Sequence, residues 1–431
     1  MHKGNENKNI PPIAENMLLC SMGNRTLIIG LVWPEPTSSA AGWRMLELIE
    51  CFLQEGMEVH FASAATLSEF SHPLADIGVT QHQILLNDSS FDTWISALQP
   101  DMVLFDRFMV EEQYGWRVAE QCPNAIRILD TEDLHFVRHA RQAAYKKKVK
   151  FEPDQLYSDM AKRELAAIYR SDCSLIISQA EMDILLQQFN VPPSILAYLP
   201  FRMVRKGDPK VHPGFGDRQH FMFIGNFIHE PNWKTVQVLK EIWPDIRKVL
   251  PAAELHIYGA YPTEKVWQLD NAKQGFRIKG RAVDAVETMK DYRVLLAPIP
   301  FGAGLKGKFI DALHAQTPSV CTAVAAEGLT GGIHWPGYIA EDLSDFIEKA
   351  QLLYSDEECW NKAVDYGQEM LKSGPDPDWG KNLMARIAAI RADLNQHRNH
   401  NFIGQILISN QFQATKYMSQ WIELKNKKAH M

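Results

Sequence analysis

Short apolar runs alternate with helix-period stretches twice along this chain, a pattern that predicts parallel sheets covered on both faces. The first series opens with RTLIIGLVW (25–33). An amphipathic stretch follows with Leu46, Ile49 and Leu53 at i, i+3 and i+7, and MEVHFAS (57–63) comes after Gly56. DMVLFD (101–106), AIRILD (125–130) and SLIIS (174–178) continue the series, each after a helix-like segment. The stretch 200–219, PFRMVRKGDPKVHPGFGDRQ, has no periodicity and reads as a linker. A second series then runs through FMFIGNF (221–227), an amphipathic helix over 232–249, ELHIYG (254–259), FRIKG (276–280), VLLAP (294–298), a helix near 306–316 and PSVC (318–321). The expected architecture is α/β, with two doubly wound Rossmann-like units facing each other across a cleft. Ligands of such sheets sit outside the carboxyl ends of the strands. The divisions expected are a flexible leader (1–24), an N-terminal unit (25–200), the linker (201–219), a C-terminal unit (220–395) and a helical extension (396–431). In that extension Phe412, Met418, Trp421 and Ile422 fit either a docking helix or a tail.

Composition removes several classes of function. A formal net charge of −7 leaves no basic excess for non-specific nucleic-acid binding. Cys20, Cys51, Cys122, Cys173, Cys321 and Cys359 form no CxxC pair, so a zinc ribbon or disulfide scaffold is not indicated and a reducing, cytoplasmic setting is expected. No apolar run has the roughly 18 residues of a spanning helix. The leader lacks the continuous apolar core of a secretory signal. The basic run RHARQAAYKKKVK (138–150) is either a solvated face or a peripheral contact with anionic lipid. A dinucleotide-dependent dehydrogenase is disfavoured because the first strand-to-helix turn, PEPTSSAAG, carries no GxGxxG.

The densest chemistry lies in LLAPIPFGAGLKGKFIDALHAQTPSVCTAVAAEGL (295–329). A buried strand ends at Pro298, a loop with Gly302, Gly304 and Gly307 follows, and a helix begins near Gly307. Glycines that admit close backbone approach, ahead of helix N-terminal amides, make an anion site. Lys306 and Lys308 add positive charge, and Asp311 shares a helix face with Lys308, placed to hold a ribose diol. The same spacing also fits an ordinary surface ion pair.

This stretch resembles the donor-binding signature of retaining GT-B glycosyltransferases of the glycosyl transferases group 1 family, relatives of glycogen synthase and sucrose-phosphate synthase. That signature carries two glutamates eight positions apart; here the second corresponds to Asp311 and the first falls on Ala303. The resemblance implies a donor site built from Gly225, Asn226, Gly302, Ala303, Gly304, Leu305, Lys306, Lys308, Asp311, Glu327 and Gly328. FIGNFIHEPNW (223–233) is similar to the opening of the family's C-terminal domain, with Asn226 where an arginine is usual. LVWPEPTSSAAGWRMLEL (31–48) resembles the family's first loop, and DTEDLHFVRHAR (130–141) a segment of one branch. Acceptor contacts are thereby expected at Gly42, Arg44, Asp106, Arg107 and Asp130, although Asp106 and Arg107 equally fit a cross-domain ion pair. Glu327 and Gly328 equally fit a helix N-cap or loop role.

The implied reaction moves a sugar from a nucleotide-diphosphate sugar to a hydroxyl of a glycan, lipid-linked or other acceptor, with retention and without a metal or other cofactor. Lys306 and Lys308 would stabilise the leaving diphosphate, and His135 would polarise a sugar hydroxyl or else serve only the structure. His135 and His139 make an H-x3-H pair, but Phe136 stands where a zinc-protease helix has glutamate. Asp376-Pro-Asp378 reads as a turn. Two alternatives remain open at this level. One is a non-catalytic GT-B protein that binds a sugar nucleotide or a partner, favoured by Ala303; the other is a GT-B sugar-nucleotide epimerase.

Overall fold

The computed structural model describes residues 25–203, 212–329, 334–374 and 378–429. The leader, Cys20, Asp376 and the middle of the linker lie outside the described residues. β1 (Arg25–Gly30), β2 (Glu58–Ser63), β3 (Thr80–Gln83), β4 (Met102–Asp106), β5 (Ile126–Asp130), β6 (Cys173–Ile176) and β7 (Leu196–Tyr198) form one sheet in the order 3-2-1-4-5-6-7. β8 (Gln219–Ile224), β9 (Leu255–Tyr258), β10 (Phe276–Gly280), β11 (Tyr292–Ala297), β12 (Ser319–Thr322) and β13 (Gly337–Ala340) form a second in the order 10-9-8-11-12-13. Every strand pairing in both sheets is parallel.

Burial on both faces explains why the central strands read as continuous apolar runs. Leu27, Ile28 and Ile29 of β1 and Val103, Leu104 and Phe105 of β4 are all buried, with Leu27 opposite Val103 in register. β1 stops at Gly30, where a Cβ would lie 2.3 Å from the Phe61 ring. The segment from Leu31 therefore turns outward into a loop instead of extending the strand to Trp33. β3 (TQHQ) and β7 (LAY) lie at the two sheet edges and carry no strong apolar run. In both sheets the strand order reverses beside the first strand, between β1 and β4 and between β8 and β11. These are the switch points at which ligands enter doubly wound sheets.

The end of the chain departs from the expected division. Helix Trp379–Ala392 buries Trp379, Leu383, Met384, Ile387 and Ile390 against Leu48, Ile49 and Phe52 of the first unit. The chain thus returns to the N-terminal unit well before residue 395. The return is fixed by Arg398, which donates to Asp172 at 2.8 Å and to the carbonyl of Pro123 at 2.6 Å. A long helix, Phe402–Ala429, then lies across the outside of the same unit. Met418 and Trp421 are exposed on it, and the Phe412 side chain lies outside the description. Among the described residues no helix is long and apolar enough to cross a membrane.

Candidate active site

A cleft of about 600 Å³ opens between the carboxyl ends of the two sheets, lined from both units. Its wall in the first unit begins with the loop after β1. Gly42 allows the helix Ala40–Gln54 to pack on that loop, because a Cβ there would sit 2.4 Å from the carbonyl of Glu35. Glu35 accepts hydrogen bonds from Ser38 (2.7 Å), Ser68 and Tyr261 of the second unit (2.6 Å). Burial alone would raise its pKa, but these hydroxyls and Arg281 hold it below the usual value. Arg281 reaches the same loop, donating to Ser38 Oγ at 2.6 Å.

The opposite side of the cleft is tied differently. Arg141 donates to Glu327 at 2.6 and 2.8 Å and to the carbonyl of Gly302 at 2.8 Å. Between these ties, Gly307 meets Ala40 so closely that a Cβ would lie 2.4 Å from the alanine methyl. The two units are therefore held in contact around the cleft, not merely joined by a linker.

On the second unit, helix Gly307–Ala315 begins at the cleft with no side chain capping its first turn. Lys308 Nζ donates to Asn232 Oδ1 at 2.8 Å and lies 4.2 Å from the centre of the Phe223 ring. Asn232 in turn donates to the carbonyl of Asn226 at 2.9 Å. Gly225 is required beneath it, since a Cβ would stand 2.5 Å from Asn232 Cγ. Lys306 Nζ donates to the carbonyl of Gly304 at 2.9 Å. Burial, then the neighbouring Lys306, lowers the Lys308 pKa to about 7. Burial lowers that of Lys306 to about 8 against the pull of Glu327. Two desolvated amines side by side form a pocket whose charge is best satisfied by an anion.

The first unit presents acids instead. Asp106 Oδ2 accepts from the backbone of Leu31 at 3.0 Å, and burial raises the Asp106 pKa. Glu132 is buried, has a φ of 61°, and carries a pKa pushed to about 8 by burial and then by Asp130. Arg107, also at positive φ, lies 3.4 Å from Asp106. Asp133 pairs with Arg138 at 2.8 Å.

The structure brings Gly42, Asp106, Arg107, Gly225, Asn226, Gly302, Ala303, Leu305, Lys306, Lys308 and Asp311 together as cleft lining. It sets others aside. Arg44 and Asp130 form a buried pair at 2.7 Å outside the lining, with Arg44 also donating to the Leu199 carbonyl at 2.7 Å, so they brace the wall and offer nothing to an acceptor. His135 is also outside the lining: its Nδ1 faces the Asp133 carbonyl at 3.0 Å and its ring meets Phe108 edge-on. The histidine in the cleft is His229, whose pKa is lowered by the enclosure and then by Arg138. Gly304, Glu327 and Gly328 lie at the seam between the units: Glu327 is engaged by Arg141, and Gly328 packs on Ser178. Basic residues 138 and 141 are thereby part of the cleft's framework.

Sequence inspection missed Glu35, Glu132, Asn232, His229 and Glu181. Glu181 bears on Ala303, which is buried in the first unit's apolar cluster. One residue further on, the Gly304 N–H donates to Glu181 Oε1 at 2.9 Å, and the Leu134 N–H to the same oxygen at 2.8 Å. An acid of the first unit thus clasps the loop that lacks its own. Burial and Asp133 raise the Glu181 pKa to about 8.

Two facing Rossmann-like units with the cleft at both switch points are the GT-B fold of glycosyltransferases. A crystal structure of Anabaena Alr3699/HepE in complex with UDP and glucose is similar with a TM-score of 0.61 at 10% identity, covering 85% of this chain and 100% of that one. Sucrose-phosphate synthase from Thermosynechococcus elongatus gives 0.60 at 12% identity over 84% and 98%. Staphylococcus aureus TarM, as a mutant in complex with fondaparinux, α-GlcNAc-glycerol and UDP, gives 0.50 at 13% identity over 74% of this chain. The chain spans 58% of the length of that TarM structure. Residues 218–356, which hold the lysine loop and helix, match the family model described as Glycosyl transferases group 1. No curated protein sequence matches the chain.

Proposed function

We propose that this protein transfers a glycosyl group from a nucleotide-diphosphate sugar to an acceptor hydroxyl with retention at the anomeric carbon. The observation that carries the reading is the pair of buried, pKa-lowered lysines at the start of helix Gly307–Ala315, within the segment that matches the family model. The bond from the anomeric carbon to the diphosphate oxygen breaks, and charge develops on the departing phosphate. Lys306, Lys308 and the helix amides stabilise that charge, and the reading calls for no metal. Asp311, on the next turn of the helix, holds the ribose. The acceptor hydroxyl attacks from the same face, forms the new bond to the anomeric carbon and gives its proton to the departing phosphate oxygen.

Asp106, Arg107 and Glu132 face the acceptor. At neutral pH Glu132 is largely protonated and serves as a hydrogen-bond donor to a sugar hydroxyl. His135 acts through Asp133, which makes it a positioning residue and not a group that touches sugar. Closure between the units excludes water and limits donor hydrolysis. The free cysteines Cys51, Cys122, Cys173, Cys321 and Cys359 suit a reducing, cytoplasmic setting.

A second reading, a non-catalytic sugar-nucleotide binder, draws on Ala303 in place of a carboxylate. A thermal-shift panel of UDP, GDP, ADP and dTDP, with and without magnesium, separates the possibilities, because a ligand of the native state raises the melting temperature. The expected result is one diphosphate that stabilises without metal, followed by donor turnover that falls roughly 10²–10³-fold in Lys308→Ala. Stabilisation without turnover would establish the second reading. No stabilisation by any diphosphate would refute both.

A further inference from the structure

Helix Phe402–Ala429 carries an exposed apolar stripe on its outer face. Toward its C-terminal end the inner face makes polar contacts: Ser419, 3% exposed, accepts from Arg117 at 3.0 Å, and Glu423, 9% exposed, accepts from Ser89 at 2.7 Å. Lys416 on the same side pairs with Glu120. The outer face carries Tyr417, Trp421 and Leu424 at i, i+4 and i+7, exposed by 64%, 59% and 61%. At the other end Phe402, Ile403 and Ile406 are exposed too. From residue 402 to 424 the helix spans about 33 Å. Leu85 and Leu86, exposed in the loop after β3, border a groove with Asn87, Asp88, Glu423, Asn426 and Lys427. A surface helix ordinarily buries its apolar stripe, and a patch turned the other way marks a contact.

Charge says what kind of contact. Residues 416–428 hold four lysines, of which Lys416 and Lys427 pair with Glu120 and Glu423 while Lys425 and Lys428 are exposed, in a chain whose net charge is −7. Lys425 lies 5.3 Å from the centre of the Trp421 ring, so ammonium and indole share one edge of the stripe. Tryptophan and tyrosine rings flanked by lysines match the headgroup layer of an anionic bilayer, where the rings sit at the polar boundary and the lysines reach the phosphates. The other basic segment, 138–150, has Arg138 and Arg141 committed to Asp133 and Glu327.

We propose that the outer face of helix Phe402–Ala429, with Leu85 and Leu86, lies on the surface of a membrane rich in anionic lipid, and that this face sets how the enzyme approaches its substrates there. The full chain should sediment with mixed phosphatidylcholine and phosphatidylglycerol vesicles and not with phosphatidylcholine alone. Neutralising two exposed lysines, Lys425→Gln with Lys428→Gln, should weaken partition roughly 30-fold. Trp421→Ser with Leu424→Ser should abolish it while the melting temperature holds, since both side chains are already exposed. No sedimentation, equal sedimentation with uncharged vesicles, or sedimentation untouched by both variants would overturn the proposal. So would a dimer in light scattering that the Trp421/Leu424 variant dissociates, because the face would then belong to a second copy.

Discussion

Donor binding should take up protons. In the free protein the Lys308 pKa is lowered to about 7 and that of Lys306 to about 8, against an ordinary lysine value of 10.5. A diphosphate within reach restores the charged forms, so both values rise on binding. A group whose pKa rises in the bound state contributes affinity that is fully present below its free-state value and is lost as pH climbs through it. Between about pH 6 and about pH 8.5, Lys308 should cost about 30-fold in affinity and Lys306 about fourfold, roughly 100-fold together. At about pH 8 binding should consume about 1.4 protons. Isothermal titration with the nucleotide-diphosphate sugar chosen by the thermal-shift panel, in two buffers of different ionisation enthalpy, reads both quantities. The diphosphate ester stays ionised throughout this range, so the dependence belongs to the protein. Lys308→Arg, which cannot deprotonate, should remove most of it. Constant affinity with no buffer-dependent heat would show that these amines do not meet the ligand.

Two further outcomes test how the units are joined. Glu181 is buried with a pKa raised to about 8, so its contribution to stability is complete at low pH and is lost as pH rises through that value. Glu181→Gln should therefore be more stable than the natural protein at alkaline pH, whereas Glu181→Ala should lose about 1–3 kcal/mol by leaving the Leu134 and Gly304 N–H groups unpaired; denaturant unfolding that ranked the two variants equally would dismiss the clasp. Gly307→Ala adds a methyl 2.4 Å from that of Ala40 and should cost about 1–3 kcal/mol along with donor affinity. An alanine variant that gained stability from helix propensity would show that the units part freely at this point.

What could be read from the chain was whatever is encoded locally. β1, β4, β8 and β11 are buried on both faces, so each leaves an uninterrupted apolar run that periodicity detects. β3 and β7 escaped because an edge strand needs only backbone pairing on one side and imposes little on its side chains. Helix Trp379–Ala392 falls within the segment 220–395 expected for the C-terminal unit but packs on the N-terminal one, since an amphipathic face does not name the surface that covers it. The lysine loop was legible because glycines, lysines and Asp311 stand within ten consecutive positions of one another, 302–311.

The first unit's wall of the cleft was not. Arg44 and Asp130 stand 86 positions apart, and only the folded sheet turns them into a buried pair, removing both from the list of groups that can touch a substrate. Glu132 and Glu181 read as ordinary acids until burial raises their pKa values, and desolvation is a property of the surroundings, not of the residue. The amino-acid order thus determined the strands, the parallel sheets and the glycine- and lysine-bearing turn, all of which depend on neighbours in sequence. Tertiary structure decided which carboxyls keep their protons, which arginines are committed to the frame and which face of the last helix meets the outside, because each depends on the groups that folding brings close and the water it excludes.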